Sequence, residues 1–311
     1  MEHNYPKKEI SPALVKILLV LLFVIWSNSF TAIRHLREVF TPHRLILARF
    51  LPAALICTLY LLARRSGREE CRRILTGHPW RIAVMSIFGV AGYNFFLYTG
   101  QTEIKPGAAA LITTLSPIFT LILSVVYLRV KPPLRRVLGV VIAFIGLVAV
   151  IKWGRIGLSL ELSEFRYAGL ATLAPVSWAI YTVTGKKLTG KYRPVTISYL
   201  SLSIGTIPFL ILLDREFIGI LASFSPTHWL ALAHLSLLCT VAGYLIWNTG
   251  LKYLPATSVA SFIYLNPPFA AFFGWALWGE DISIFFLAGS AVILFGLYLT
   301  QGKNNCPRGG K

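Results

Sequence analysis

Long apolar segments alternate with short charged connections along the whole chain. Ten windows carry almost no charge and are about 20 residues long, the length of helix that crosses the hydrocarbon of a bilayer. All twelve Asp and Glu residues lie outside these windows, which fits the high cost of a carboxylate in hydrocarbon. The pattern predicts an all-α polytopic membrane protein with ten transmembrane helices. The windows are residues 14–33, 43–63, 80–101, 106–128, 134–153, 166–186, 195–213, 228–251, 254–278 and 282–300.

The composition agrees with this interpretation. Hydrophobic residues make up 56% of the 311 residues, charged residues 14%, and the mean hydropathy is +0.67. A soluble domain cannot bury that much apolar surface, so a lipid bilayer is the expected surrounding. The first window follows several lysines but lacks a small-residue cleavage site, so we interpret it as a retained helix and not as a signal peptide. The four cysteines have no paired spacing, and we expect no disulfide, metal or cofactor.

The net charge of +18 reflects membrane topology when it is mapped onto the connections. With a cytoplasmic N-terminus, 21 Lys and Arg residues fall on the cytoplasmic side and eight on the opposite side. This asymmetry predicts that both termini are cytoplasmic in a multi-pass protein of the cell membrane. Nucleic acid is not an expected partner, because the charges are interspersed between membrane windows and do not form one soluble basic face.

The chain matches itself at an offset of 150 residues. The match predicts two repeats, residues 1–153 and residues 154–311, with five helices each. Two halves with an odd number of helices enter the membrane from opposite sides, so they form an inverted repeat, the architecture of alternating-access transporters. The matched pairs include Gly100 with Gly250, Ala110 with Ala260, Leu115 with Leu265, Pro117 with Pro267, Gly139 with Gly289 and Gly146 with Gly296.

Several short motifs occur in the same order as in a known family. They are WSNSF at Trp26, RF at Arg49, PGAAALITTLSP from Pro106 to Pro117, WAIY at Trp178, and PATSVASFIYLNP from Pro255 to Pro267 followed by Gly279 and Glu280. The chain therefore resembles, over nearly its whole length, the EamA-type branch of the drug/metabolite transporter superfamily. The resemblance implies ten helices in two related halves and transport of amino acids or related small metabolites. One departure is Arg129 with Val130 where the second half has Gly279 with Glu280, so a coupling Glu is missing from the first half.

Prolines within the predicted helices mark candidate hinges. A proline removes one backbone donor and frees the carbonyl four residues earlier; Pro117 would free that of Thr113. In lipid such a carbonyl needs a protein or water partner, so these sites either accept a solute ammonium or only bend helices for packing. The hinge candidates are Pro117, Pro267 and Pro268.

Amide and aromatic side chains within the windows are the candidates for solute binding. A buried amide without a partner is costly, so these residues should face protein or a wet cavity. They either line a central aromatic and polar pocket or provide interhelical hydrogen bonds and aromatic belts. Trp26, Trp178 and Asn266 are preferred because each lies beside a repeat-matched position. The full set is Trp26, Asn28, Asn94, Tyr98, Thr113, Trp178, Tyr181, Tyr244, Trp247, Asn248, Tyr264 and Asn266.

Three charged residues are candidates for coupling or for a structural role. Arg49 is the one Lys or Arg clearly within a window, and it either pairs with a loop carboxylate or attracts a solute carboxylate. Glu103 and Glu280 lie just beyond window ends on the predicted outer side. With no carboxylate deep in the bilayer, we expect facilitated diffusion or exchange, or a proton coupling through one of these two residues.

Small residues at Gly139, Ala143 and Gly146 share one face of the fifth predicted helix, and Gly289 and Gly296 repeat the spacing in the tenth. Such faces let helices approach closely. We interpret both helices as packing elements that could also form a dimer face, with a monomer and a homodimer equally allowed.

These features together favour a secondary transporter, an exporter or exchanger of a small-molecule solute. Multidrug efflux is the alternative among carriers. A channel is a further alternative, and a membrane-embedded enzyme is disfavoured because the sequence has no HExxH, paired Asp or GxSxG motif.

Overall fold

The computed structural model describes residues 10–100, 112–153, 165–266 and 284–301, together with residues 268, 269, 272, 273 and 276. Within these residues the regular structure is helical throughout. The helices are α1 Pro12–Leu36, α2 Pro42–Ala63, α3 Arg65–Gly77, α4 Pro79–Gly100, α5 Ser116–Val126, α6 Leu134–Trp153, α7 Phe165–Thr189, α8 Pro194–Leu212, α9 Arg215–Ala222, α10 Pro226–Tyr253, α11 Ala256–Leu265 and α12 Ile284–Thr300.

The prediction of a polytopic all-α membrane protein is confirmed. Five of the described helices, α1, α2, α4, α8 and α10, are long and apolar enough to cross a bilayer. Each of the ten predicted windows contains helix in the described part of the chain, and α3 and α9 are short additional helices between windows. The total of ten membrane crossings and the inverted relation of the halves stay predictions.

Proline and short polar residues determine where the long helices begin. Proline occupies the first turn of α1, α2, α4, α8 and α10, where its missing N–H costs no helical hydrogen bond. Ser11 caps α1 by accepting a hydrogen bond from the Leu14 backbone N–H at 3.2 Å. Ser225 caps α10 in the same way through the His228 backbone N–H.

Two long helices contain a π-helical segment at matching places. Met85–Gly92 is π-helical within α4, and His234–Ala242 is π-helical within α10. The two segments end 150 residues apart, which is the offset of the sequence repeat. A π-helical segment is rare and widens the helix locally.

The glycines of α6 and α12 face each other within one chain. A Cβ on Gly139 would lie 2.7 Å from the Gly296 carbonyl oxygen, and one on Gly146 would lie 2.9 Å from the Gly289 oxygen. A Cβ on Gly296 would in turn lie 2.5 Å from the Ala143 backbone nitrogen. The expectation that these faces pack is confirmed, because they lie against each other within the chain. A monomer and a homodimer both stay predictions.

An ion-pair cluster fastens the start of α2 to the connection before α9. Arg44 lies 2.7 Å from Asp214 and also pairs with Glu216. The Asp214 carboxylate caps α9 by accepting a hydrogen bond from the Phe217 backbone N–H at 2.8 Å. This N–H and the Arg44 guanidinium hold the pKa of Asp214 below its ordinary value.

Candidate functional site

A small cavity lies among the long helices. Its volume is about 90 Å³, which holds several waters but is below the roughly 300–1,000 Å³ typical of sites for drug-sized ligands. Helices α1, α2, α4, α7, α10 and α11 each contribute to its wall, so it sits at the junction of the two predicted halves. The lining residues are Trp26, Ser29, Ile33, Arg49, Tyr93, Asn94, Leu97, Tyr98, Thr113, Trp178, Tyr244, Ile263 and Asn266.

Trp178 is the centre of an aromatic cluster that forms one wall. Its ring centroid lies 5.8 Å from that of Trp26 and 5.4 Å from that of Tyr244, both at edge-on angles. Trp247 packs 5.1 Å away, and Tyr181 stacks at 5.0 Å behind the wall. Aromatic contacts of this kind stabilise by about 0.5–1.5 kcal/mol each beyond area burial. The wall is therefore a rigid apolar surface.

Two aromatic side chains of the wall are held by carbonyls of the π-helical segments. The Tyr244 hydroxyl donates to the Gly89 oxygen at 2.8 Å, and the Trp26 indole N–H donates to the Cys239 oxygen at 2.9 Å. Gly89 and Cys239 are separated by the repeat offset of 150 residues. Each half therefore supplies an equivalent carbonyl that orients one ring beside the cavity.

A buried amide supports the wall from behind. Asn248 donates through Nδ2 to the Tyr181 hydroxyl at 2.6 Å and to the Ser198 hydroxyl at 2.9 Å. The same group lies 3.0 Å from the Tyr244 carbonyl oxygen. Glycine at position 89 is required here, because a Cβ would lie 2.0 Å from Cδ2 of Tyr181. These contacts fix the orientations of the aromatic rings that form the cavity wall.

Arg44 has two carboxylate partners, whereas Arg49 has none among the residues that the structure describes. Its Nε donates to the Thr240 hydroxyl at 2.8 Å, and Thr240 in turn donates to the Leu235 oxygen at 2.9 Å. Among the residues that the structure describes, no ion pair includes Arg49. The side chain lines the cavity. A charged residue within a membrane helix is costly, and this makes Arg49 a candidate for a functional role.

Two further donors on the cavity wall are unsatisfied. The Tyr98 hydroxyl and the Trp178 indole N–H are buried without a hydrogen-bond partner in the described part of the chain. A buried donor left unpaired costs about 1–3 kcal/mol. Both side chains line the cavity.

The structure brings seven of the twelve predicted binding residues together on this cavity: Trp26, Asn94, Tyr98, Thr113, Trp178, Tyr244 and Asn266. Four others lie elsewhere in the interior: Tyr181, Trp247, Asn248 and Tyr264 are fully buried, and the first three support the wall. Asn28 instead faces a separate apolar groove with His35 and His234. Solute binding by any of the twelve stays a prediction.

The candidate hinges fall at breaks in the helices. Pro117 lies in the first turn of α5, directly after a turn at residues 114–115. In the second half the segment Phe262–Leu265 is 3₁₀-helical, and it lies at the same repeat position. Pro268 follows it and is partly buried. Pro267, Glu103 and Glu280 lie outside the described residues.

Two lining residues of α4 were not predicted. Tyr93 and Leu97 share a face with Asn94 and Tyr98, which were predicted. Spacings of four and five residues place all four on one side of a helix, so this periodicity could have identified the missing pair. Tyr93 packs 5.0 Å from Trp178 and extends the aromatic wall.

Comparisons with known proteins agree on one family. The model of the EamA-like transporter family matches residues 14–152 and 166–301. An uncharacterized transporter of Archaeoglobus fulgidus is 29% identical over 302 residues, covering 92% of this chain and 98% of its own. The uncharacterized transporter YyaM of Bacillus subtilis is 26% identical, covering 86% of this chain and 87% of its own.

A probable terminal-alkyne amino-acid exporter of Streptantibioticus cattleyicolor is 25% identical to this chain. The alignment covers 90% of this chain and 91% of the exporter. One crystal structure superposes with a TM-score of 0.73 at 18% identity, over 93% of this chain and 96% of that one, and so shares the fold.

Proposed function

This chain belongs to the EamA-like transporter family, and from this premise we propose that it carries amino acids or related small metabolites by alternating access. The proposed location is the cytoplasmic membrane, with both termini inside. The solute site is the central cavity, and the transport mode is export or exchange without an intramembrane carboxylate.

The observation that carries the substrate class is the guanidinium of Arg49 on the cavity wall, which has no ion pair within the described part of the chain. The planar guanidinium of an arginine can donate two parallel hydrogen bonds to one carboxylate. The hydroxyl of Tyr98 and the indole N–H of Trp178 add polar side-chain groups to the same wall. Together they favour a solute that carries a carboxylate and little other charge.

The remaining wall suits the rest of an amino acid. The rings of Trp26, Trp178 and Tyr244 offer an apolar surface to a side chain. Asn94 and Asn266 bring amide groups to the cavity, and an amide oxygen is an acceptor for an ammonium group. Asn266 already accepts a hydrogen bond through Oδ1 from the Ser27 hydroxyl at 3.1 Å, which orients that amide.

Alternating access is supported by the position of the cavity. In the predicted orientation, Trp26, Arg49 and Tyr98 lie in the outer parts of their helices. Trp247 and Asn248 fill the space on the cytoplasmic side of the aromatic wall. A site closed on one side by packed rings, between halves that are related by a repeat, is what a rocking carrier requires.

Multidrug efflux is the second candidate, since aromatic walls also suit apolar drugs. The cavity volume of about 90 Å³ and the positive charge of Arg49 favour a small acid over a bulky lipophilic cation.

A ligand-dependent thermal shift on the purified protein tests the substrate class. We expect one or more amino acids to raise the melting temperature and their amides, which lack the carboxylate, to leave it unchanged. Stabilisation by lipophilic cations and by no amino acid would overturn the assignment in favour of drug efflux.

A further inference from the structure

Helix α3 lies directly beyond the end of α2 and has one face packed and one face free. Gly67 and Ile74 on the packed face are buried. Glu70, on the same side, accepts hydrogen bonds from Arg193 through Nε at 2.6 Å and through the backbone N–H at 2.8 Å. These contacts anchor α3 to the start of α8 and leave its opposite face uncovered.

The free face of α3 and the last turn of α2 border a groove of about 370 Å³. Leu61, Leu62 and Leu75 line it with apolar surface, and Arg68 and Arg72 stand on its rim. Leu62 is 56% exposed and Leu75 is 45% exposed, which is unfavourable in water. The groove therefore combines an apolar floor with a cationic edge.

The charges on the rim are not neutralised by any described residue. The two acidic residues of α3 are already paired, Glu69 with Arg65 at 2.9 Å and Glu70 with Arg193. Arg68 donates to the Leu62 carbonyl oxygen, and neither Arg68 nor Arg72 has an ion pair among the described residues. Two exposed guanidinium groups about one helical turn apart therefore lack an ion-pair partner within the described ranges.

The groove also lies at the depth where helices enter the bilayer. The membrane-length helix α2 ends at Ala63, and the next one, α4, begins at Pro79. Trp80, in the first turn of α4, is 53% exposed, and exposed tryptophans are typical of the boundary between hydrocarbon and headgroups. At this depth Arg68 and Arg72 lie at the level of the phospholipid headgroups.

We propose that this groove binds an anionic phospholipid, with its phosphate on Arg68 and Arg72 and an acyl chain along Leu61, Leu62 and Leu75. Charge-assisted hydrogen bonds from guanidinium groups hold the phosphate. The apolar floor distinguishes a lipid from a free anion. The site is separate from the transport cavity, and it does not depend on which solute is carried.

The test is a titration of the detergent-purified chain with phosphatidylglycerol, followed by thermal unfolding. We expect phosphatidylglycerol to raise the melting temperature, and phosphatidylcholine with the same acyl chains to have little effect. The double variant Arg68→Gln with Arg72→Gln should bind phosphatidylglycerol roughly 30-fold more weakly, since each cation near an anionic lipid surface contributes about 1 kcal/mol.

The matched control is Lys131→Gln with Arg135→Gln, which removes two exposed charges from another connection on the same predicted side. It should keep the full response. Leu75→Ser retains both arginines and should still weaken binding of the lipid. The proposal is overturned if inorganic phosphate reproduces the stabilisation, if phosphatidylcholine stabilises equally, or if the control variant loses as much response as the double variant.

Discussion

At the scale of single residues, we propose that recognition of the solute carboxylate depends on Arg49. Its guanidinium is held by one hydrogen bond to Thr240 and is not neutralised by any described carboxylate, whereas Arg44 has two acidic partners. A charged side chain within a membrane helix is energetically costly, and such residues are typically functional. The sequence showed that Arg49 is isolated within an apolar window, but it left open whether a loop carboxylate folds over it.

Replacing Arg49 with Gln should weaken binding of a carboxylate solute by roughly 30-fold or more, because losing one partner of a buried charge pair costs about 2–5 kcal/mol. Arg49→Lys should retain part of the affinity, since lysine keeps the positive charge but cannot form the bidentate hydrogen bonds to a carboxylate. Dissociation constants from thermal-shift titrations measure both effects. Unchanged affinity in Arg49→Gln for the amino acid would rule out this role.

Trp178 and Asn266 should be needed for transport more than for folding. Trp178→Phe keeps a ring in the aromatic wall and removes the unpaired indole N–H, so we expect a loss of about two- to tenfold in solute affinity. Trp178→Ala and Asn266→Ala should impair transport further while the protein still purifies as one species. Trp80→Ala, at the exposed start of α4, is the control and should transport normally. Normal transport by both cavity variants would contradict the assigned site.

The sequence identified the residue types of the site better than their positions. A polar group within an apolar window is costly unless it is paired, and seven of the twelve residues chosen do meet at the cavity. Trp247 and Asn248 have the same chemistry but point behind the wall. Both share a helix face with Tyr244, which lines the cavity, so their depth along α10 and not helix rotation keeps them from it. The depth of the cavity depends on packing partners that a single sequence does not contain.

At the scale of elements, the paired π-helical segments could not be predicted from the sequence. The repeat predicted related halves, and the helix start at Pro79 follows from local chemistry. A π-helical segment instead depends on tertiary contacts such as those from Tyr244 to the Gly89 oxygen and from Trp26 to the Cys239 oxygen. Equivalent segments in both halves place the widened turns of α4 and α10 beside the aromatic wall.

Gly89→Ala tests the fit between the π-helical segment of α4 and the wall. The added methyl would lie 2.0 Å from Cδ2 of buried Tyr181, so the ring must move. We expect a loss of about 1–3 kcal/mol in the free energy of unfolding, as for other overpacked sites. Gly169→Ala in α7 is the matched control, because nothing lies within 4 Å of its added methyl. Unfolding in denaturant that gave equal stabilities for the two variants would contradict this packing.

At the scale of the whole molecule, the alternation of apolar windows and charged connections was sufficient to predict a polytopic helical membrane protein. Hydrophobic length is an intrinsic property of the chain, so it can be read without a structure. The close contact of α6 with α12 through Gly139 and Gly296 could not be assigned to one chain or to a dimer, because small-residue faces look alike in both cases.

Mapping of the chain ends tests the inverted relation of the two halves. We expect a fluorescent protein fused to either terminus to fold and glow in the cytoplasm, and alkaline phosphatase fused to either terminus to be inactive. Both results follow from the excess of Lys and Arg in the connections assigned to the cytoplasmic side. Termini on opposite faces would leave an odd number of crossings and remove the inverted repeat.

Counterflow in proteoliposomes is the most direct test of a rocking carrier with one central solute site. Vesicles containing the purified chain are loaded with an unlabelled amino acid that stabilises it, and uptake of the labelled compound is followed. We expect internal solute to accelerate uptake of label several-fold, and Arg49→Gln to abolish the acceleration. Uptake that proceeds at the same rate with empty and loaded vesicles would indicate a channel and contradict the carrier mechanism.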